Sequence, residues 1–227
     1  MNGAGERPPA DRPGGGGEFP HRLMAGYRAF LDSRFACEQS RYQRLASGGQ
    51  RPETMVIGCV DSRVSPEVIF NAAPGELLVV RNVAALVPAY DPGHGDGSQH
   101  GTSAALEFGV QALHVRHIVV LGHALCGGIR AFADRQEPLS PGDFIGRWMS
   151  QITPAAERLG PASTEDAYLH SLELASIELS LKNLMTFPWL EVLVSQGRLT
   201  LHGAYFGIAT GELLVCDPAS GRFAPAI

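Results

Sequence analysis

The chain has 227 residues, 44% of them hydrophobic and 18% charged, enough for one sizeable core with an added arm. A formal net charge of -5 gives no basic excess for nucleic acid, and the longest apolar stretch, "HIVVLGHALCGGI", is interrupted by His123 and too short to cross a bilayer. Four cysteines are too few for a disulfide scaffold, so a reducing, cytoplasmic setting is expected, with thiols free for metal or catalysis.

Residues 1–18, rich in Gly and Pro and without an apolar signal-like run, are expected to form a flexible leader ahead of a single domain over 19–227. Within that domain, 19–48 should be a helical arm, because Leu23, Tyr27, Phe30, Leu31 and Phe35 fall close to helical spacing. "TMVIGCV" is a short apolar run of the kind a strand covered on both faces shows. "SPEVIFNA" pairs Ser with Pro, a helix cap followed by a first-turn residue, and should make one or two helical turns. "GELLVVRNV" is a second strand. The Gly-rich segment 88–100 is long for a loop in a compact domain, and such loops are often functional.

"GTSAALEFGVQALHV" is expected to be a helix facing the core with Leu106, Val110 and Leu113. "HIVVLGHA" is a third strand, and "CGGIRAFAD" opens another helix. Residues 143–160 and 164–186 should be two further helices, and "RLTLHGAYF" with "GELLVCD" a terminal hairpin. Strands alternating with helices imply an α/β domain with a mainly parallel sheet, in which ligands collect beyond the carboxyl ends of strands.

Two strand ends carry unusual chemistry. Cys59 ends one, and His123 and Cys126 form H-x-x-C at the end of another. Two sulfurs and one imidazole suit zinc, with a fourth position left open. Taken alone, a strand cysteine is usually a small core residue. The coincidence of both motifs at strand ends favours the metal. Cys37 and Cys216 have no ligand-like neighbours and should be ordinary buried or half-buried thiols. A phosphatase C-x5-R fails, because the required positions hold Ser65 and Phe132, and neither a phosphate-binding glycine loop nor a redox C-x-x-C is present.

"CVDSRV" together with "GHALCGG" resembles the paired motifs of the β-class carbonic anhydrases, plant-type branch. The likeness extends through "PGELLVVRNVAALV" and "GTSAALEF". It implies a mainly parallel four-stranded sheet with an added antiparallel C-terminal strand, flanked by helices, behind an N-terminal helical arm. It also implies Zn2+ on Cys59, His123 and Cys126, an Asp61–Arg63 dyad, and reversible hydration of carbon dioxide to bicarbonate by zinc-bound hydroxide. Asp61 either pairs with Arg63 or ligates the metal itself. Two thiolates neutralise the dication, so the water is expected to ionise at higher pH than on three imidazoles, with activity rising toward alkaline pH.

By the same resemblance Leu78, Val83 and Phe108 line a narrow apolar pocket and Gln50 donates to bicarbonate; the Gly127 N–H, at the start of the helix after Cys126, could also donate to an anion. Gln50 and Phe108 would come from a second copy, so a homodimer or higher homo-oligomer is implied, with no nucleic-acid or membrane partner. Val56 stands where the bicarbonate-inhibited branch has Trp, so no inhibitory bicarbonate site of that type is expected. His94 and His100 could shuttle protons from the long loop. Two rivals are a carbonyl sulfide or carbon disulfide hydrolase on the same scaffold, and a non-enzymatic zinc or thiol sensor.

Overall fold

The computed structural model describes residues 19–92 and 101–227. His94 and His100 lie outside the described residues, as does the 1–18 leader. Two compact units divide the chain after Gly49. The first carries helix α1 (His21–Phe30) and helix α2 (Ala36–Gly48), joined without a break by a π-helical turn over Leu31–Phe35. An aromatic cluster of Phe30, Phe35 and Tyr42 stiffens it, with ring centroids 5.3 to 6.1 Å apart. No residue of either helix is buried. Cys37 is exposed here rather than buried, since α2 has no internal core to hide it.

The second unit is built on a six-stranded sheet ordered β2-β1-β3-β4-β5-β6. Its strands are β1 (Thr54–Cys59), β2 (Leu77–Asn82), β3 (His117–His123), β4 (Thr200–Phe206), β5 (Leu213–Cys216) and β6 (Phe223–Pro225). The first four neighbours in the sheet are parallel, and β5 and β6 are antiparallel additions. The expected hairpin is therefore also the seam between the two parts, because its first arm, β4, runs parallel to β3. The sheet gains one antiparallel strand more than the sequence suggests. β6 is only three residues, too short to show an alternating pattern.

β1 and β3 are apolar almost throughout because both faces are covered. Met55, Ile57, Ile118 and Val120 pack with Ile177 and Leu184 of a long helix below; Val56 and Leu121 pack with Ala204 above. The helices between are α3 (Pro66–Ile69), α4 (Gly101–Glu107), α5 (Gly127–Ala133), α6 (Phe144–Met149), α7 (Thr153–Ala156), α8 (Glu165–Leu184) and α9 (Pro188–Ser195). Thr164 caps α8 by accepting from the Ala167 N–H at 3.1 Å, and Glu165 and Asp166 favour its positive end. Ser65 does not cap α3; its hydroxyl meets Glu67 at 3.0 Å instead, and the helix is a single turn. The expected long helix over 143–160 is broken into α6, a 3-10 turn and α7, with Pro154 in the first turn of α7.

Gly122 sets how close α8 lies to the sheet. A Cβ there would stand 2.6 Å from Ile177 Cδ1, so a larger residue would force the Ile177 side chain of α8 to shift just before His123.

Candidate metal centre

Parallel pairing brings the carboxyl ends of β1 and β3 side by side, and the ligand-type residues sit on those ends. Cys59 is the last residue of β1, His123 the last of β3, and Cys126 the capping residue just before α5. Their ligand atoms all lie within 4.8 Å of one another, and all three residues are buried. Among the described residues this is the one such group. The short H-x-x-C turn is possible because Leu125 takes a left-handed φ of 57°. That conformation is uncommon for a residue with a Cβ.

Three features fit a soft divalent cation. His123 Nδ1–H donates to the Ala124 carbonyl at 2.8 Å, which leaves the Nε2 lone pair facing inward. Nε2 is buried and has no hydrogen-bond partner, a cost that a metal bond would remove. The thiols are mismatched without an ion. Hydrogen bonding from Cys126 outweighs burial and pulls the Cys59 thiol down, while the same pairing and burial push Cys126 up. Two adjacent buried thiolates need a cation between them, and zinc takes such a two-sulfur, one-imidazole set. The Ala84 N–H also points at Cys59 Sγ from 3.3 Å. Ala84 and Ala85 are both left-handed, with φ of 64° and 55°.

Asp61 follows the β1 end and is not part of the ligand group. Its carboxylate is held by Arg63, with Nε to Oδ1 at 2.9 Å and Nη2 to Oδ2 at 2.7 Å, and the Arg63 backbone N–H adds a bond at 2.9 Å. The guanidinium holds the Asp61 carboxyl well below the usual carboxylate range. Arg81 of β2 braces the same turn by donating to the carbonyls of Cys59 and Asp61 at 2.8 and 2.6 Å. Sequence reasoning missed Arg81, although a charge inside "LLVVRN" was a usable signal. It also missed Glu173, buried on α8, whose carboxylate accepts from the Cys126 N–H at 3.0 Å.

The expected pocket residues separate into two sets. Val83 packs against the cluster that holds Cys59 and Cys126, its carbonyl fixed by Trp148 Nε1–H at 2.8 Å, and Gly127 follows Cys126 directly. Leu78 pairs with Met55 near the far end of β1, about 13 Å along the sheet from the Cys59–Asn82 pair. Phe108 is half exposed beyond α4. Gln50 precedes β1 and lines a separate cavity with Glu53, His114 and Arg116. A single chain therefore does not gather Gln50, Leu78 and Phe108 at the metal centre. Val56 is buried in the middle of β1.

A family model described as carbonic anhydrase matches residues 54–213, which contain every ligand and the Asp61–Arg63 pair. The chain is 36% identical over 201 residues to "Beta carbonic anhydrase 5, chloroplastic" of Arabidopsis thaliana, covering 86% of this chain and 65% of that protein. It thus spans a little less than two thirds of that relative's length. Among solved structures, the β-carbonic anhydrase CcaA is 27% identical with a TM-score of 0.78, each chain covered to 91%. A tetrameric β-carbonic anhydrase of Sordaria macrospora, also 27% identical, has a TM-score of 0.74 over 90% of this chain and 98% of its own. The family match, the curated relative and the shared sheet agree: the chain belongs to the β-carbonic anhydrase family.

Proposed function

We propose that the protein catalyses the reversible hydration of carbon dioxide to bicarbonate and a proton, with Zn2+ held by Cys59, His123 and Cys126. The observation that carries this reading is the convergence of those three buried ligand atoms beside an Asp61 carboxylate locked in an arginine fork. Bound zinc supplies Lewis acidity, which polarises water toward ionisation, less strongly with two thiolates than with three imidazoles.

The chain's own residues do the rest. Asp61 stays ionised at every working pH and so remains an acceptor that orients the attacking water's proton. Arg63 fixes the direction of that acceptor and keeps the carboxylate from swinging onto the metal. Arg81 fixes the backbone that carries both Cys59 and Asp61. Carbon dioxide is linear and apolar, so Val83 offers the kind of surface it needs.

Gln50, Leu78 and Phe108 complete the pocket from a second copy of the chain. Their separation from the metal centre within one chain supports this, as does the tetrameric state of the Sordaria relative. Four free cysteines, two of them ligands, suit a reducing cytoplasm.

The test is zinc content per chain alongside stopped-flow carbon dioxide hydration from pH 6.5 to 9, with Cys59→Ser as control. Stoichiometric zinc and a rate that climbs toward alkaline pH are expected, both lost in the variant. Zinc-loaded chain with no hydration activity sinks the reading.

A further inference from the structure

The carboxylate of Glu173 has no part in the proposed reaction, yet it is buried at 6% exposure against a metal ligand. A buried carboxylate is costly unless it is hydrogen-bonded, and here each oxygen has a donor. Oε1 accepts from the Cys126 N–H at 3.0 Å, and Oε2 accepts from the Tyr205 hydroxyl at 2.7 Å. The Tyr205 oxygen in turn lies 3.0 Å from His170 Nδ1. The chain of contacts runs from α8 to β4 and back to α8. It lines a cavity of about 310 Å³ on which Leu125, Cys126 and Arg130 also border.

Cys126 needs an anchor. The residue before it is left-handed, Cys126 itself is extended at φ -70° and ψ 118°, and α5 begins immediately after. The Cys126 N–H lies outside the helix and is not used by it. Its bond to Glu173 fastens the H-x-x-C turn to α8, a helix of 20 residues. Burial, and then the bond to Glu173, push the Tyr205 phenol up, so it stays a donor at working pH.

We propose that Glu173 is a positioning residue of the metal centre: held from behind by Tyr205, it fixes the Cys126 backbone and so presents the Cys126 thiolate to zinc. This rests on the reading that Cys59, His123 and Cys126 hold zinc.

The test uses the full chain loaded with Zn2+, with affinity read by competition against a chromogenic chelator, and the Co2+-substituted chain, read by its thiolate charge-transfer absorption. Glu173→Ala is expected to bind zinc about 10- to 100-fold more weakly and to shift the cobalt band. Glu173→Gln should stay within about threefold of wild type, because an amide oxygen still accepts from the Cys126 N–H. Tyr205→Phe should fall between the two. Wild-type affinity and spectrum in Glu173→Ala overturn the proposal, and so does a Glu173→Gln as weak as Glu173→Ala. If Glu173→Ala does not fold, Tyr205→Phe decides: an unchanged affinity and spectrum overturn the proposal, and a weakened one supports it. A wild-type chain that binds no zinc overturns the metal reading as well, whereas zinc-tight variants beside a zinc-binding wild type overturn only the role of Glu173.

Discussion

Arg63 grips both carboxylate oxygens of Asp61, at 2.9 and 2.7 Å, and with the same Nη2 reaches the Leu125 carbonyl at 3.2 Å. One guanidinium thus ties the turn after β1 to the turn after β3, the two segments that carry the metal ligands. Arg63→Ala should free Asp61 and lower carbon dioxide turnover by roughly tenfold or more, and Asp61→Asn by about 100-fold, with zinc still bound in both. Stopped-flow rates alongside metal analysis check this. Wild-type turnover in Arg63→Ala removes the pair from the mechanism.

The proposal that a second copy completes the pocket can be tested by complementation. Cys59→Ser lacks a ligand but keeps Gln50; Gln50→Ala has the reverse defect. Each alone should be impaired. Chains co-expressed and purified as mixed oligomers should regain activity above the average of the two, because one site in each mixed pair then has both residues. Strictly averaged activity argues that each chain works alone.

Gly128 faces Val83, and a Cβ added there would lie 2.6 Å from Val83 Cγ1 and 3.2 Å from Met149 Sδ. Gly128→Ala should therefore cost about 1–3 kcal/mol of stability through overpacking and disturb Val83, which packs beside Cys59 and Cys126. Denaturant melts and hydration kinetics measure the two effects separately. A variant as stable and active as wild type means the Val83 segment yields freely.

The pH dependence of stability should carry a signature from the other end of the sheet. His117 Nδ1 and His202 Nε2 lie 3.2 Å apart, and burial, followed by the charge of His117, lowers the His202 pKa. The unfolded chain then binds that proton more readily than the folded one. Stability contributed by keeping His202 neutral is therefore intact above pH about 6.5 and declines as the pH falls through that value. His202→Gln should flatten the slope between pH 7 and 5 in urea melts. An unchanged slope would assign it to other groups.

Much of this was legible from sequence because the ligands stand on the parts of the chain that pattern describes best. Cys59 and His123 close apolar runs whose strand character is plain, and parallel strands bring such ends together. Arg63 is near Asp61 in sequence, so their pairing needed no tertiary knowledge. What was hidden depends on distant contacts. Glu173 sits inside an ordinary-looking helix and gains meaning only where α8 crosses beneath the Cys126 turn. Arg81 looks like a surface residue of an edge strand until its donors are seen on the Cys59 and Asp61 carbonyls. α9 and β6 escaped notice, one because "WLEVLVS" is apolar on too many sides to show a period, the other because three residues carry none.

Ala84 and Ala85 sit back to back in a backbone region that residues bearing a Cβ avoid, at a cost of about 1–2 kcal/mol each. That shape aims the Ala84 amide at the Cys59 sulfur. Cys59 and His123 end strands that are buried along most of their length, so burial of the sheet rather than a cation should hold the ligands' backbone in place. Stripping the cation with a chelator and restoring it should cycle the protein between an empty and a refilled form without passing through the unfolded chain, unlike small zinc modules that collapse when emptied.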